Sequence, residues 1–210
     1  MIPYHRLASV TLAAWASIVA VSVYAQDAPK LTPRNDTVID YKVIKGASQE
    51  SAARLRLIYT DAGKLVRLDR FIFADAHVPF QTTLYDADAS RQFILLYQNQ
   101  LCLEYVADSL TIPGLTFEPA THFIRERIDT VASLPCTVWR LEGSGPDGTV
   151  CNTNDGVILR SEQPDRILEA TAVSNKIPPN TFTVPADLYR IVTGVAPKGG
   201  ETSNKGPSAR

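Results

Sequence analysis

The residues with chemistry to offer in this chain are three cysteines, two histidines beyond the first 25 positions, and a few serine- and aspartate-bearing turns. Cys136 and Cys151 share one stretch, 134–162, LPCTVWRLEGSGPDGTVCNTNDGVILRSE, with Trp139 and two turn clusters. In an oxidising compartment this pair is expected to form a structural disulfide, with free buried thiols as the alternative. The register argues against a simple bridge. If GSGPDG is the hairpin loop, Leu141 faces Val150 or Glu142 faces Thr149, which leaves Cys136 about 13 Å along the strand from the position opposite Cys151. A disulfide needs Cα atoms within about 7 Å. Either the strand folds back after Pro135 or Cys136 uses another partner. Cys102, between Leu101 and Leu103, reads as an odd buried thiol.

The remaining polar residues are better explained by turns than by reactions. No cysteine pair has the close spacing of zinc ligands, and His77 and His122 stand alone, so no metal is expected. Gly143-Ser144-Gly145 lacks the strand-turn-helix pattern of a hydrolytic serine. Asp86, Asp88 and Ser90 resemble the start of a calcium loop, but Arg91 stands where glycine belongs and Tyr97 where glutamate belongs. Asp155 precedes Gly156 as a turn residue does. No glycine-rich phosphate loop follows a strand, and no cofactor is implied. A hydrolase assembled from distant Ser, His and Asp residues is the weakest reading; a protein that is not an enzyme is expected.

The elements that would position any site read as strands. TVIDYKVIKG places Ile39, Tyr41 and Val43 on one face, RLRLIYT alternates Leu55, Leu57 and Tyr59 with Arg54 and Arg56, and DAGK turns into LVRLDRFIF. ADAHVPF interrupts the pattern at Pro79. TTLYD, RQFILLY and LCLEYV follow, and FILLY is apolar at both parities, as in a central strand covered on both sides. Residues 120–130 admit either a short helix, from Phe123, Ile124 and Ile128, or a strand through 122–128. Strands are expected at 136–142, 149–153 and 157–161, then RILEATAV, and PPNTFTVPADLYRIV would pin itself to the core through Phe182, Val184, Leu188, Tyr189 and Ile191. No internal repeat is evident.

The N-terminus differs from everything after it. Arg6 precedes the nearly continuous apolar run Leu7 to Val23, and Val23-Tyr24-Ala25 supplies a cleavage site before Gln26, the pattern of a signal peptide over 1–25 cut after Ala25. An uncleaved anchor is the competitor, since the run is near the lower limit for a spanning helix, about 17 residues. Gln26 in place of cysteine offers no acceptor for lipoprotein acylation. Residues 26–36 are expected to be a flexible N-terminal segment, 37–193 one β domain, and 194–210 a disordered tail. Loss of the leader takes the formal charge from −1 to −2, with lysine and arginine scattered among acids. That distribution argues against a nucleic-acid partner, which would need a basic stripe. A periplasmic or secreted monomer with no membrane span after cleavage is expected.

The apolar set is more informative than the polar one. Leu57, Tyr59, Phe71, Phe73, Phe93, Leu95 and Tyr97 are candidates for lining a hydrophobic concavity; an ordinary core is the alternative. The leader, TVIDYKV, RLRLIYTDAGKLVRLD, the pair LPCTVWR and CNTNDGVILR, and NTFTVPADLYRI together resemble the LolA-like superfamily of periplasmic lipoprotein carriers, and within it an uncharacterised secreted branch. The resemblance covers roughly 37–192 and implies a mainly β fold: a single curved antiparallel sheet, an unclosed half-barrel with few short helices. It also implies a cavity for a lipid, acyl chain or other apolar ligand. The second functional expectation is an envelope protein–protein interaction or stress-sensing module without a small ligand.

Overall fold

A computed structural model of the chain describes residues 28–45, 52–143, 145 and 147–195. The expected signal peptide, Ser144 and the tail from 196 onward lie outside the described residues. The first six strands form a meander: β1 Thr37–Lys45, β2 Arg54–Thr60, β3 Leu65–Phe71, β4 Gln81–Asp86, β5 Arg91–Leu96 and β6 Leu101–Val106. A second meander follows: β7 His122–Val131, β8 Leu134–Glu142, β9 Gly148–Asn152, β10 Ile158–Gln163 and β11 Arg166–Ser174, after which comes β12 Tyr189–Val195. β1 pairs with β11, joining the meanders back to back in one unclosed twelve-stranded sheet with β12 and β7 at its edges. Helix is confined to two 3-10 turns, Asp61–Gly63 and Tyr97–Asn99, among the described residues.

All pairings are antiparallel except that of β12, which lies parallel to β6. The segment before β12 crosses the outer face of the first meander, where Phe182, Val184 and Leu188 pack on Leu84, Leu95 and Cys102. Three of the five residues expected to pin this segment do so. Tyr189 and Ile191 instead belong to the edge strand and remain 72% and 39% exposed. β12 continues through Val195, two residues into the expected tail.

Residues 122–131 are a strand and not a helix. Ala132 and Ser133 both adopt positive φ and close a two-residue hairpin that pairs Val131 with Leu134. That geometry normally draws Asn-Gly or Asp-Gly, so Ala-Ser carries no turn signal in the sequence. A bulge between Arg125 and Arg127 also breaks the alternation that would mark a strand.

The inner face of β1–β4 carries Ile39, Tyr41, Leu55, Leu57, Val66, Leu68 and Tyr85. These pack in one cluster with Trp139, Leu141, Val150 and Leu168 of the second meander. Into this cluster the 107–117 segment inserts Ala107, Ile112 and Leu115. The Tyr41 hydroxyl donates to Ile158 O at 2.6 Å, reaching over β11 to β10.

Residues 28–36 are held along the rim of this cluster. Arg34 N donates to Asp155 O at 3.1 Å, Asn152 Nδ2 donates to Lys30 O at 2.7 Å, and Leu31 packs on the core. Gly156 has φ +101°, and a Cβ there would collide with Thr32 O. The turn therefore needs glycine both for its backbone and for the close passage of this segment.

Candidate functional site

The cysteines settle the register problem first. β8 and β9 pair Leu141 with Gly148 and Val138 with Cys151, so the loop is shifted by two positions from the sequence expectation and Cys136 lies two residues from the position facing Cys151. Their Cα atoms are 5.5 Å apart and the sulfurs are bonded. Cys102 is a free, buried thiol whose pKa is raised, chiefly by desolvation.

The polar turns behave as turns. Asp86 Oδ1 accepts from Ala89 N, Asp88 pairs with Lys64 across the neighbouring hairpin, and Thr153 Oγ1 donates to Asp155. Among the described residues no group of three or more His, Cys, Asp or Glu side chains is placed to hold a metal ion.

The seven candidate lining residues do not share one cavity. Thr60 pairs with Leu65, which sets odd-numbered residues of β2 opposite even-numbered residues of β3. Leu57 and Tyr59 therefore lie on the inner face, Leu57 inside the main cluster and Tyr59 packed against it. Phe71, Phe93 and Leu95 lie on the outer face. Phe71 is covered by the Arg54 guanidinium, 3.8 Å above its ring. Leu95, Phe93 and Tyr97 meet the crossing segment, and Tyr97 donates to Thr82 Oγ1 at 3.1 Å. Phe73 is past the end of β3, 66% exposed, beside Val78 and Phe80 in a shallow depression of about 370 Å³.

The outer face also carries an ionic ladder. Asp40, Arg56, Asp69 and Thr82 face one another in register across β1–β4. Asp40 accepts from Arg56 Nε at 2.9 Å and from Arg54 at 3.0 Å, and Arg67 Nε donates to both oxygens of Asp69. Asp40 thus ties β1 to β2, and Thr82 Oγ1, donating to Asp69, ties β4 to β3.

The apolar surface left open was not among the candidates. Leu68 faces Thr83, Thr83 faces Ile94, Ile94 faces Leu103, and Leu103 faces Ile191, so the inner face continues across β4, β5, β6 and β12. Ile94, Leu96, Leu101 and Leu103 are half-buried and pack against neither buried cluster of the described residues. Beside them, under residues 109–117, is an open cleft of about 310 Å³ lined in part by Tyr59, Val66, Tyr85 and Leu110. The signal in the sequence was FILLY, whose second apolar parity this patch accounts for.

The two sheet edges differ. β7 carries Arg125, Glu126, Arg127 and Asp129 together with its bulge, features that discourage strand pairing. β12, YRIVTGV, also shifts register against β6 between Val192 and Val195, but its one charged residue is Arg190, which is held by Glu104 at 2.6 Å.

This architecture has a solved counterpart. An uncharacterised conserved protein from Thermus thermophilus superposes with a TM-score of 0.52 at 9% identity, over 76% of this chain and 91% of that one. MucB gives a TM-score of 0.47 at 12% identity, over 75% of this chain and 60% of MucB. The Pseudomonas aeruginosa MucA/MucB complex gives 0.46 at 13%, over 77% and 59%. At these identities the Thermus likeness is one of fold alone. No family model and no curated protein matches the chain.

Proposed function

We propose that this is a LolA-like binding module of the cell envelope, not an enzyme, that engages a partner polypeptide along β12 and the adjoining inner face. The observation that carries the reading is the run Ile94, Leu96, Leu101, Leu103 and Ile191, which packs against neither buried cluster of the described residues, beside an edge strand whose one charged residue, Arg190, is already held by Glu104. An incoming strand would gain main-chain hydrogen bonds at β12 and place its apolar side chains on this face. The disulfide and the leader-like N-terminus favour an oxidising, extracytoplasmic site of action. A lipid or acyl chain on the same face is the second reading, favoured by the purely aliphatic character of the β5–β6 patch.

The test is a photo-crosslinking residue at position 103 of the full-length protein, irradiated in intact cells. One protein adduct of constant mass that is lost in an I191K variant supports the polypeptide reading. Adducts of lipid mass alone move the assignment to the acyl-chain reading. The absence of any adduct at 103, with efficient crosslinking from an exposed control site, overturns both.

A further inference from the structure

Across β7, β8 and β9 a second group of residues collects on one face for which the binding reading above has no use. Arg125 faces Trp139, and Thr137, two residues along β8, faces Asn152. Together with Lys30 they line an open cleft of about 380 Å³. Its described lining contains no acidic residue. Neither the Lys30 nor the Arg125 side chain makes an ion pair or hydrogen bond with a described residue, although nearly every other strand arginine is paired.

Two further lining residues have unmet polar atoms. Trp139 is 7% exposed and Asn152 3%, and both Trp139 Nε1 and Asn152 Oδ1 are buried without a hydrogen-bond partner. The Asn152 amide is oriented by its own donors, which go to Lys30 O at 2.7 Å and Thr153 O at 3.2 Å. Its oxygen therefore has to find a donor elsewhere. Leaving such atoms unmet is costly, so a ligand that supplies both an acceptor and a donor recovers more than one that supplies acceptors alone.

We propose that this cleft is a site for a carboxylate adjoining an amide, the chemistry shared by a peptide C-terminus and an N-acyl amino acid. Arg125 and Lys30 take the carboxylate, an oxygen of the ligand accepts from Trp139 Nε1, and the amide N–H donates to Asn152 Oδ1. Inorganic phosphate satisfies the cations and the indole but is a poor match to the Asn152 oxygen. The site is separate from the β12 surface and stands or falls independently of it.

Trp139 and Trp15 are the only tryptophans, so the full chain carrying W15F has Trp139 as its one indole reporter. The probes are acetyl-Ala-Ala-Ala as the free acid, the same peptide as its C-terminal amide, N-acetylalanine, and inorganic phosphate. The expected result is a saturable change in Trp139 emission with the free acid, about tenfold weaker binding of the amide, and a similar loss in R125Q or K30Q. Both variants should keep the parent's thermal midpoint. Tighter binding of the tripeptide than of N-acetylalanine identifies a peptide C-terminus, and equal binding identifies the smaller ligand. The proposal is overturned by no saturable signal with either acid, by equal binding of acid and amide, by phosphate competing as well as the peptide, or by unchanged affinity in R125Q.

Discussion

Cys136 and Cys151 are bonded although the residue of β8 that faces Cys151 is Val138. The bridge is therefore a diagonal staple across the β8–β9 pair, and it closes a loop of 15 residues. Closing a loop of that length stabilises a domain by about 3 kcal/mol. The double variant C136A/C151A, and the reduced wild-type protein, should each lose about that much in urea unfolding. Equal midpoints for oxidised and reduced protein would mean that the staple adds nothing.

Tyr41 is enclosed by the inner cluster, and its hydroxyl is the sole side-chain link from β1 to the Ile158 carbonyl of β10 among the described residues. Y41F leaves that buried carbonyl unmet and should cost about 1–3 kcal/mol. Burial, and secondarily the neighbouring Tyr59, push the Tyr41 phenol well above its ordinary value of 10.0. The folded state thus favours the neutral phenol. Its contribution is complete below pH 10.0 and is lost as the pH rises toward the folded value. Ultraviolet titration should show Tyr41 ionising only as the protein unfolds; reversible ionisation in the folded state would contradict the burial.

Glu169 is held below the ordinary glutamate value of 4.5, first by the hydrogen bond from Lys42 at 2.6 Å, against a partial desolvation penalty, and further by Arg160. The unfolded chain takes up this proton before the folded one does. Stability from Glu169 is accordingly present above pH 4.5 and disappears as the pH falls through the folded value. An NMR titration of K42M should show Glu169 moving back up toward 4.5, and an unmoved resonance would exclude Lys42 as the main cause.

Much of the fold was legible because alternation survives wherever one face is buried. Leu55, Leu57 and Tyr59 against Arg54 and Arg56 is such a case, and the structure places those arginines with Asp40 on the outer face. Legibility failed where backbone geometry departed from residue preference. Ala132 and Ser133 make a hairpin turn with ordinary residues, and the two-position shift at Gly148 brings Cys136 within bonding distance. The candidate lining failed for a different reason. Side-chain parity within each strand is readable, and the DAGK turn itself sets Thr60 opposite Leu65, which puts Leu57 and Phe71 on opposite faces, so the candidate set mixes the two faces of the sheet. The Arg125, Trp139 and Asn152 cleft depends on three strands in register and had no linear signature.

The junction of the two meanders governs the order in which this chain can fold. Within each meander every strand finds its neighbour locally, but β1 is paired on one side by β2 and on the other by β11, where Thr171 Oγ1 donates to Asp40 O across 131 positions of sequence. The β6–β12 pairing likewise joins Glu104 and Arg190, 86 positions apart. Contacts at such separation are slow to form, since the intervening chain must be ordered first. During synthesis β1 emerges early with its edge unoccupied and stays so until β11 arrives. A chaperone or translocation factor that shields that edge would raise the yield of native protein.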